Sequence, residues 1–178
     1  MNYFYITSIL NFISSVWTIF FVLFSNHHSK TNRIFALFAF CVPIWSLFHF
    51  LWLIGDDQNH ILFYMRISNY SAFFIPISFL HFTCHLLEDY KRHKILIKSL
   101  YLFHLFMIPL GFTEYFIPSS HSIMFFKHYP KAGSLYFILF AEYICMTLYS
   151  FTLILKKMKL STGAKKNQLQ IVFWGVLI

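Results

Sequence analysis

Residues 34–54, IFALFAFCVPIWSLFHFLWLI, run for 21 positions without one Asp, Glu, Lys or Arg. A helix of about 20 mostly apolar residues is what a hydrocarbon core of ~30 Å requires at 1.5 Å per residue. The same reading extends along the chain. Tyr3–Phe24, Ile61–Leu87, Ile95–Phe112 and Ser134–Leu155 are comparable runs, and a sixth opens near Gln168 and is cut off at Ile178. The expected fold is therefore an all-α integral membrane bundle, one transmembrane domain over residues 1–178 with five complete spans and the start of a sixth.

Composition points the same way. The 178 residues are 58% hydrophobic and 11% charged, with 25 Phe and 11 Tyr. A soluble domain has about 25% charged residues, so this chain could not cover a soluble surface. Its apolar mass excludes a disordered chain, and 5 Gly exclude collagen. Cys41, Cys84 and Cys145 each lie inside an apolar run, with no CxxC, and read as small buried hydrophobes. The first span has no preceding positive charge and no small-x-small site, so it reads as a retained anchor. The final run, IVFWGVLI, is too short to cross a bilayer, and the expectation is a fragment of a longer protein.

The net charge of +8 sits in the breaks between apolar runs, which argues against a nucleic-acid partner. Its distribution orients the bundle. Connections one, three and five carry Lys30, Arg33, Lys91, Arg92, Lys94, Lys98, Lys156, Lys157, Lys159, Lys165 and Lys166. Connection two carries Asp56 and Asp57 with no basic residue, and connection four has Lys127 and Lys131 alone. The N-terminus is expected outside, with connections one, three and five cytoplasmic. The fourth connection, Thr113–Gly133, is the longest outer segment, and its sequence fits a short hairpin or an interfacial helix equally.

Ionisable residues within spans are costly and mark functional candidates. They are Arg66, Glu142 and the histidines His49, His81, His85 and His104. His49 and Arg66 fall ~8 Å below the outer boundary, and Glu142, Asn69 and Asn11 about 12 Å below it. These five are the candidate ligand-binding residues of a polar pocket open to the exterior. The other reading is structural: an Arg66–Glu142 pair that fixes packing, or an Arg66 that snorkels to the head groups. His104 lies roughly 14 Å from the inner end of its span. Pro43 and Pro76 interrupt the second and third spans and, with His81, are candidate kink or structural positions. His81 and His85 share one helix face, but no second pair, HExxH or adjacent carboxylate completes a metal or haem site. No cofactor, metal or catalytic residue is expected.

The residues carry a family resemblance. Asn32–Leu53 (NRIFALFAFCVPIWSLFHFLWL), Arg66–Phe82 (RISNYSAFFIPISFLHF), His128–Phe140 (HYPKAGSLYFILF) and Gly163–Gly175 (GAKKNQLQIVFWG) follow one another in order. From about Asn32 onward the chain resembles the N-terminal seven-transmembrane sensor region of bacterial histidine kinases and related signalling proteins. The resemblance implies seven spans, an outside N-terminus and a cytoplasmic output module, such as a PAS domain with a kinase or a diguanylate cyclase. It places Asn32, Arg33, Pro76, His81, Phe82, Pro130, Gly163, Asn167 and Gln168 at recurring helix-start, kink and turn positions. The implied partners are the lipid bilayer, a small ligand, the output domain of the same polypeptide and a second copy in a homodimer, although no GxxxG marks a dimer face. The expected function is detection of a small ligand or of membrane state. The alternative is a small transporter or channel subunit with an intramembrane Arg/Glu/His path.

Overall fold

The computed structural model describes residues 2–177. Six helices, α1 (Asn2–Ser25), α2 (Lys30–Ile54), α3 (Gln58–Leu86), α4 (Tyr90–Gly111), α5 (Ser134–Leu160) and α6 (Gly163–Leu177), are joined by short turns, except for a hairpin between α4 and α5. Four of them, Tyr3–Ser25, Lys30–Ile54, Tyr90–Gly111 and Ser134–Leu160, are long and apolar enough to cross a membrane. The expected count of five is thus not reached by length and composition. The shortfall is α3, whose 29 residues include Arg66, two Asn and three Ser and are too polar to pass that test.

Every helix but α1 starts or ends differently from its apolar run. Relative to the expected spans, α2, α3 and α4 begin earlier, at Lys30, Gln58 and Tyr90, α5 runs on to Leu160, and α6 begins at Gly163. Lys and Arg are good helix formers, so a helix continues beyond the hydrocarbon limit that the apolar run marks. The fifth connection therefore shrinks to Ser161 and Thr162. The helices also run unbroken through Pro43, Pro76 and Pro109.

Local chemistry sets the turns. Ser29 Oγ accepts from the Asn32 N–H at 3.4 Å, capping α2, while the Asn32 side chain donates to the Val22 and Asn26 carbonyls at the end of α1. Asp57 caps α3 through the His60 N–H at 3.0 Å. Glu88 adopts φ 61°, and the Asp89 N–H returns to the Cys84 carbonyl at 2.9 Å, closing α3 with a left-handed residue.

The connection between α4 and α5 is a hairpin, which decides between the two expected forms. Strand β1 (Ser120–Ile123) pairs antiparallel with β2 (Phe126–Pro130), with Ser120 opposite Pro130 and Ile123 opposite Phe126. Phe126 seats it on the bundle, 4.9 Å from the Phe4 ring and 6.1 Å from Trp52. The chain leaves β2 past Tyr115, where a Cβ on Gly133 would run into the Tyr115 carbonyl. That close approach lets the Leu135 N–H bond Tyr115 O at 2.9 Å and start α5.

Helix α3 supplies residues to all three cores. Trp52, Met65, Tyr70, Phe73, Phe116 and Leu139 form the one nearest the hairpin; Phe79, Phe82, Ile154 and Leu169 the one next to α6; and Leu80, Cys84 and Ile97 the third, against α4. Helix α1 is the opposite case. Tyr3, Leu10, Trp17, Phe21 and Phe24 are all more than half exposed, and so are Phe137, Ile138 and Leu148 on α5. A soluble monomer does not expose so continuous an apolar surface. Here it is the lipid-facing surface of a multi-pass membrane protein.

Candidate functional site

The five candidate residues fall into four separate sets of contacts. The first joins α1 to α2. Ser8 Oγ is 2.8 Å from His49 Nδ1 and donates to the Phe4 carbonyl at 2.8 Å, so the histidine supplies the proton of their bond. His49 is stacked 5.3 Å from Trp45 and lies edge-on to Trp52 at 5.0 Å. One turn deeper, Asn11 Nδ2 donates to the buried Ser46 Oγ at 2.9 Å. These contacts tie the exposed first helix to the bundle, and they account for Asn11 and His49 without a ligand.

The second set is around Arg66. Its Nε and Nη2 donate to the Ile117 carbonyl at 3.2 and 2.8 Å, and Nη1 donates to the Phe112 carbonyl at 2.6 Å. Phe112 is the C-cap of α4. A guanidinium there meets carbonyls that the helix leaves unpaired and sits at the negative end of its dipole. Arg66 thereby holds Phe112–Ile117 against α3.

The expected Arg66–Glu142 pair is not formed. Among the described residues, Glu142 makes its one ionic contact to His104, Oε2 to Nε2 at 3.7 Å. Span depth had grouped Arg66 with Glu142, but Arg66 turns up to the loop while Glu142 faces α4. His104 is fully buried, with Phe74, Phe103 and Tyr70 rings at 5.1, 5.5 and 6.2 Å. The signal for this pair was in the depths: ~14 Å from one boundary and about 12 Å from the other both lie near the middle of a ~30 Å core.

Asn69 belongs to none of these three. Its Nδ2 donates to the Met65 carbonyl at 2.9 Å, and its Oδ1 accepts from Tyr136 Oη at 3.4 Å. Both side chains line an open cleft of about 410 Å³ between α2, α3 and α5, walled by Val42, Trp45, Phe73 and Tyr143. With these bonds made, Asn69 keeps one N–H donor and one acceptor lone pair, and the Tyr136 hydroxyl keeps acceptor capacity. Tyr136 was not singled out from sequence, since a Tyr in an apolar run reads as filler. An adjoining groove shares Ile75 and Tyr143 with this cleft and continues past Pro76 towards Phe82 and α6. Pro76, buried, therefore stands at the junction of the two.

Towards the other end, polar contacts join neighbouring helices. His81 Nδ1 is 3.3 Å from Tyr101 Oη, and its ring stacks 5.4 Å from Tyr90. His85 lies 5.2 Å from His81 and 4.4 Å from Tyr90. His93 Nε2 meets Tyr149 Oη at 2.9 Å, and Lys165 Nζ donates to the Leu86 carbonyl at 2.8 Å, tying α6 to the end of α3.

A family model described as the N-terminal 7TM region of histidine kinase matches residues 6–178. Neither a curated protein nor a solved structure matches the chain.

Proposed function

Taking as premise that the chain belongs to the family of N-terminal 7TM regions of histidine kinase, we propose that it senses a small ligand in the cleft bearing Asn69 and Tyr136. The family is a membrane sensor region and is not the catalytic part of the kinase. The single observation behind the ligand site is a cleft that is apolar on its walls and carries one amide and one phenol with unused hydrogen-bonding capacity. Ligand pockets have that character. The ligand class it suits is a small, largely apolar molecule with one polar group.

In this proposal the N-terminus is outside, so that the cleft opens in the outer half and the Lys165–Leu86 contact lies at the cytoplasmic side. Helix α3 is then the fifth span. Its buried Ser68, Ser71 and Ser78 hydroxyls bond backbone carbonyls, so its polarity is turned into the bundle and away from lipid. Ligand binding shifts α5 relative to α3, and α6 carries the change to an output domain of the same polypeptide. A ligand moves such an equilibrium only by binding one packing better than the other. The transporter reading loses its basis, because Arg66, Glu142 and His49 are held by different partners and do not line one path.

The test is a thermal-shift screen of small amphiphiles against the protein in lipid nanodiscs. A hit should lose most of its stabilisation in both Asn69→Ala and Tyr136→Phe. Hits whose shifts survive both changes would remove the cleft as the ligand site.

A further inference from the structure

Helices α4 and α5 each pack on α3, and polar side chains join them directly at two levels, His93 to Tyr149 and His104 to Glu142. The first is an ordinary hydrogen bond at 2.9 Å. The second is different. Glu142 Oε2 and His104 Nε2 are 3.7 Å apart, outside hydrogen-bonding reach, and no carboxylate oxygen or ring nitrogen of the two finds a hydrogen-bond partner. The Leu100 carbonyl lies one turn back beside the imidazole without closing a well-aligned bond. His104 is completely buried, and the Glu142 side chain is 14% exposed.

We infer that His104 and Glu142 form a one-proton site, and that occupancy of that site by a proton holds α4 against α5. With one titrating proton the pair is net neutral, whether written as imidazolium and carboxylate or as imidazole and carboxylic acid. Loss of the proton leaves a carboxylate whose candidate donor is the N–H of the neutral imidazole, held beyond hydrogen-bonding reach at 3.7 Å. A second proton leaves an unpaired imidazolium. Either charged state is an uncompensated ion in an apolar interior, which is the unfavourable condition for such groups. The contact therefore closes in the one-proton state and opens when the pH rises through the point of release.

Among the described residues no other group neutralises the pair. On α3, the Tyr70 hydroxyl donates to the His104 backbone carbonyl at 2.6 Å and not to either side chain. On α4, Tyr101 is turned to His81. On α5, Tyr143 packs its ring on Phe73, and Tyr136 bonds Asn69. Arg66, the cation of the neighbouring turn, has its donors on Phe112 and Ile117. The signalling consequence of the site, a proton-dependent α4–α5 packing as an input, rests on the sensor reading. The proton site itself does not.

Infrared difference spectroscopy on the protein in nanodiscs, stepped over roughly pH 5 to 9, separates the two. Glu142 is the one acid within a span, the others being Asp56, Asp57, Glu88, Asp89 and Glu114 in connections. A pH-dependent carboxyl or carboxylate band is expected that is lost in Glu142→Gln. In His104→Gln its midpoint should move by about one pH unit or more, a tenfold change in proton affinity. Glu142→Asp keeps the carboxyl and should keep a shifted band if the Gln variant fails to insert. A wild type with no titrating band, or a band unchanged in Glu142→Gln, overturns the inference. Retention of the band with no ligand response in the thermal-shift screen overturns only the ligand cleft.

Discussion

Arg66 shows how far a single side chain is defined by its partners. Three of its nitrogens donate to two carbonyls, Phe112 at the C-cap of α4 and Ile117 in the loop that follows, so the charge serves a helix terminus. Hydrogen bonds from a charged group are worth ~1.5–3 kcal/mol each when lost. Arg66→Ala should lower stability by about that amount, read by thermal unfolding in detergent. Arg66→Lys should recover little, since one ammonium does not reproduce the guanidinium fork. At Asn11 the expectation is smaller. Polar contacts between membrane helices average ~0.6 kcal/mol by double-mutant cycles, and a cycle of Asn11→Ala with Ser46→Ala should return a coupling of that order. A coupling indistinguishable from zero would mean that the bond does not tie α1 to α2.

At the scale of elements, the hairpin and its exit carry the sharper forecasts. Gly133 sits where a side chain would strike the Tyr115 carbonyl, which is backbone and cannot swing aside. Overpacking costs ~1–3 kcal/mol in ordinary cores, and Gly133→Ala should fall at the upper end, with loss of the start of α5 visible as faster amide exchange at Leu135. By contrast, Lys127→Ala removes an ion pair to Asp56 whose two side chains are 66% and 92% exposed. Exposed pairs contribute little, so the melting temperature should not change. Any clear drop would show that the hairpin depends on that contact.

For the whole molecule, orientation decides which side of the membrane the Asn69–Tyr136 cleft opens towards. In a background lacking Cys41, Cys84 and Cys145, a cysteine at Met124, 89% exposed at the hairpin tip, should react with an impermeant maleimide from outside intact cells. A cysteine at Thr162, in the α5–α6 turn, should react only after the cells are opened. The reverse pattern would invert the bundle and move the cleft to the cytoplasmic half. The same experiment bears on α5: both results together require an odd number of crossings between residues 124 and 162, and α5 supplies one.

What could be read without coordinates was whatever depends on transfer from water to lipid. Apolar runs, the charge asymmetry of the connections and the membrane class follow from composition along the chain, because hydrocarbon accepts any face of a helix that lacks charge. Helices extend beyond the apolar runs for the same reason, since Lys30, Lys91 and Lys156 mark where apolar sequence ends and not where backbone hydrogen bonding ends. Depth follows from position along each apolar run, which gives Arg66 ~8 Å and Glu142 and Asn69 about 12 Å from one boundary. Azimuth does not. Whether Glu142 meets Arg66 or His104 depends on the rotation of α5 about its axis, which is set by Leu139, Phe73, Met65 and Phe116 packing together from distant parts of the chain. Polar contacts between spans depend on that rotation, and only the packed bundle decides it.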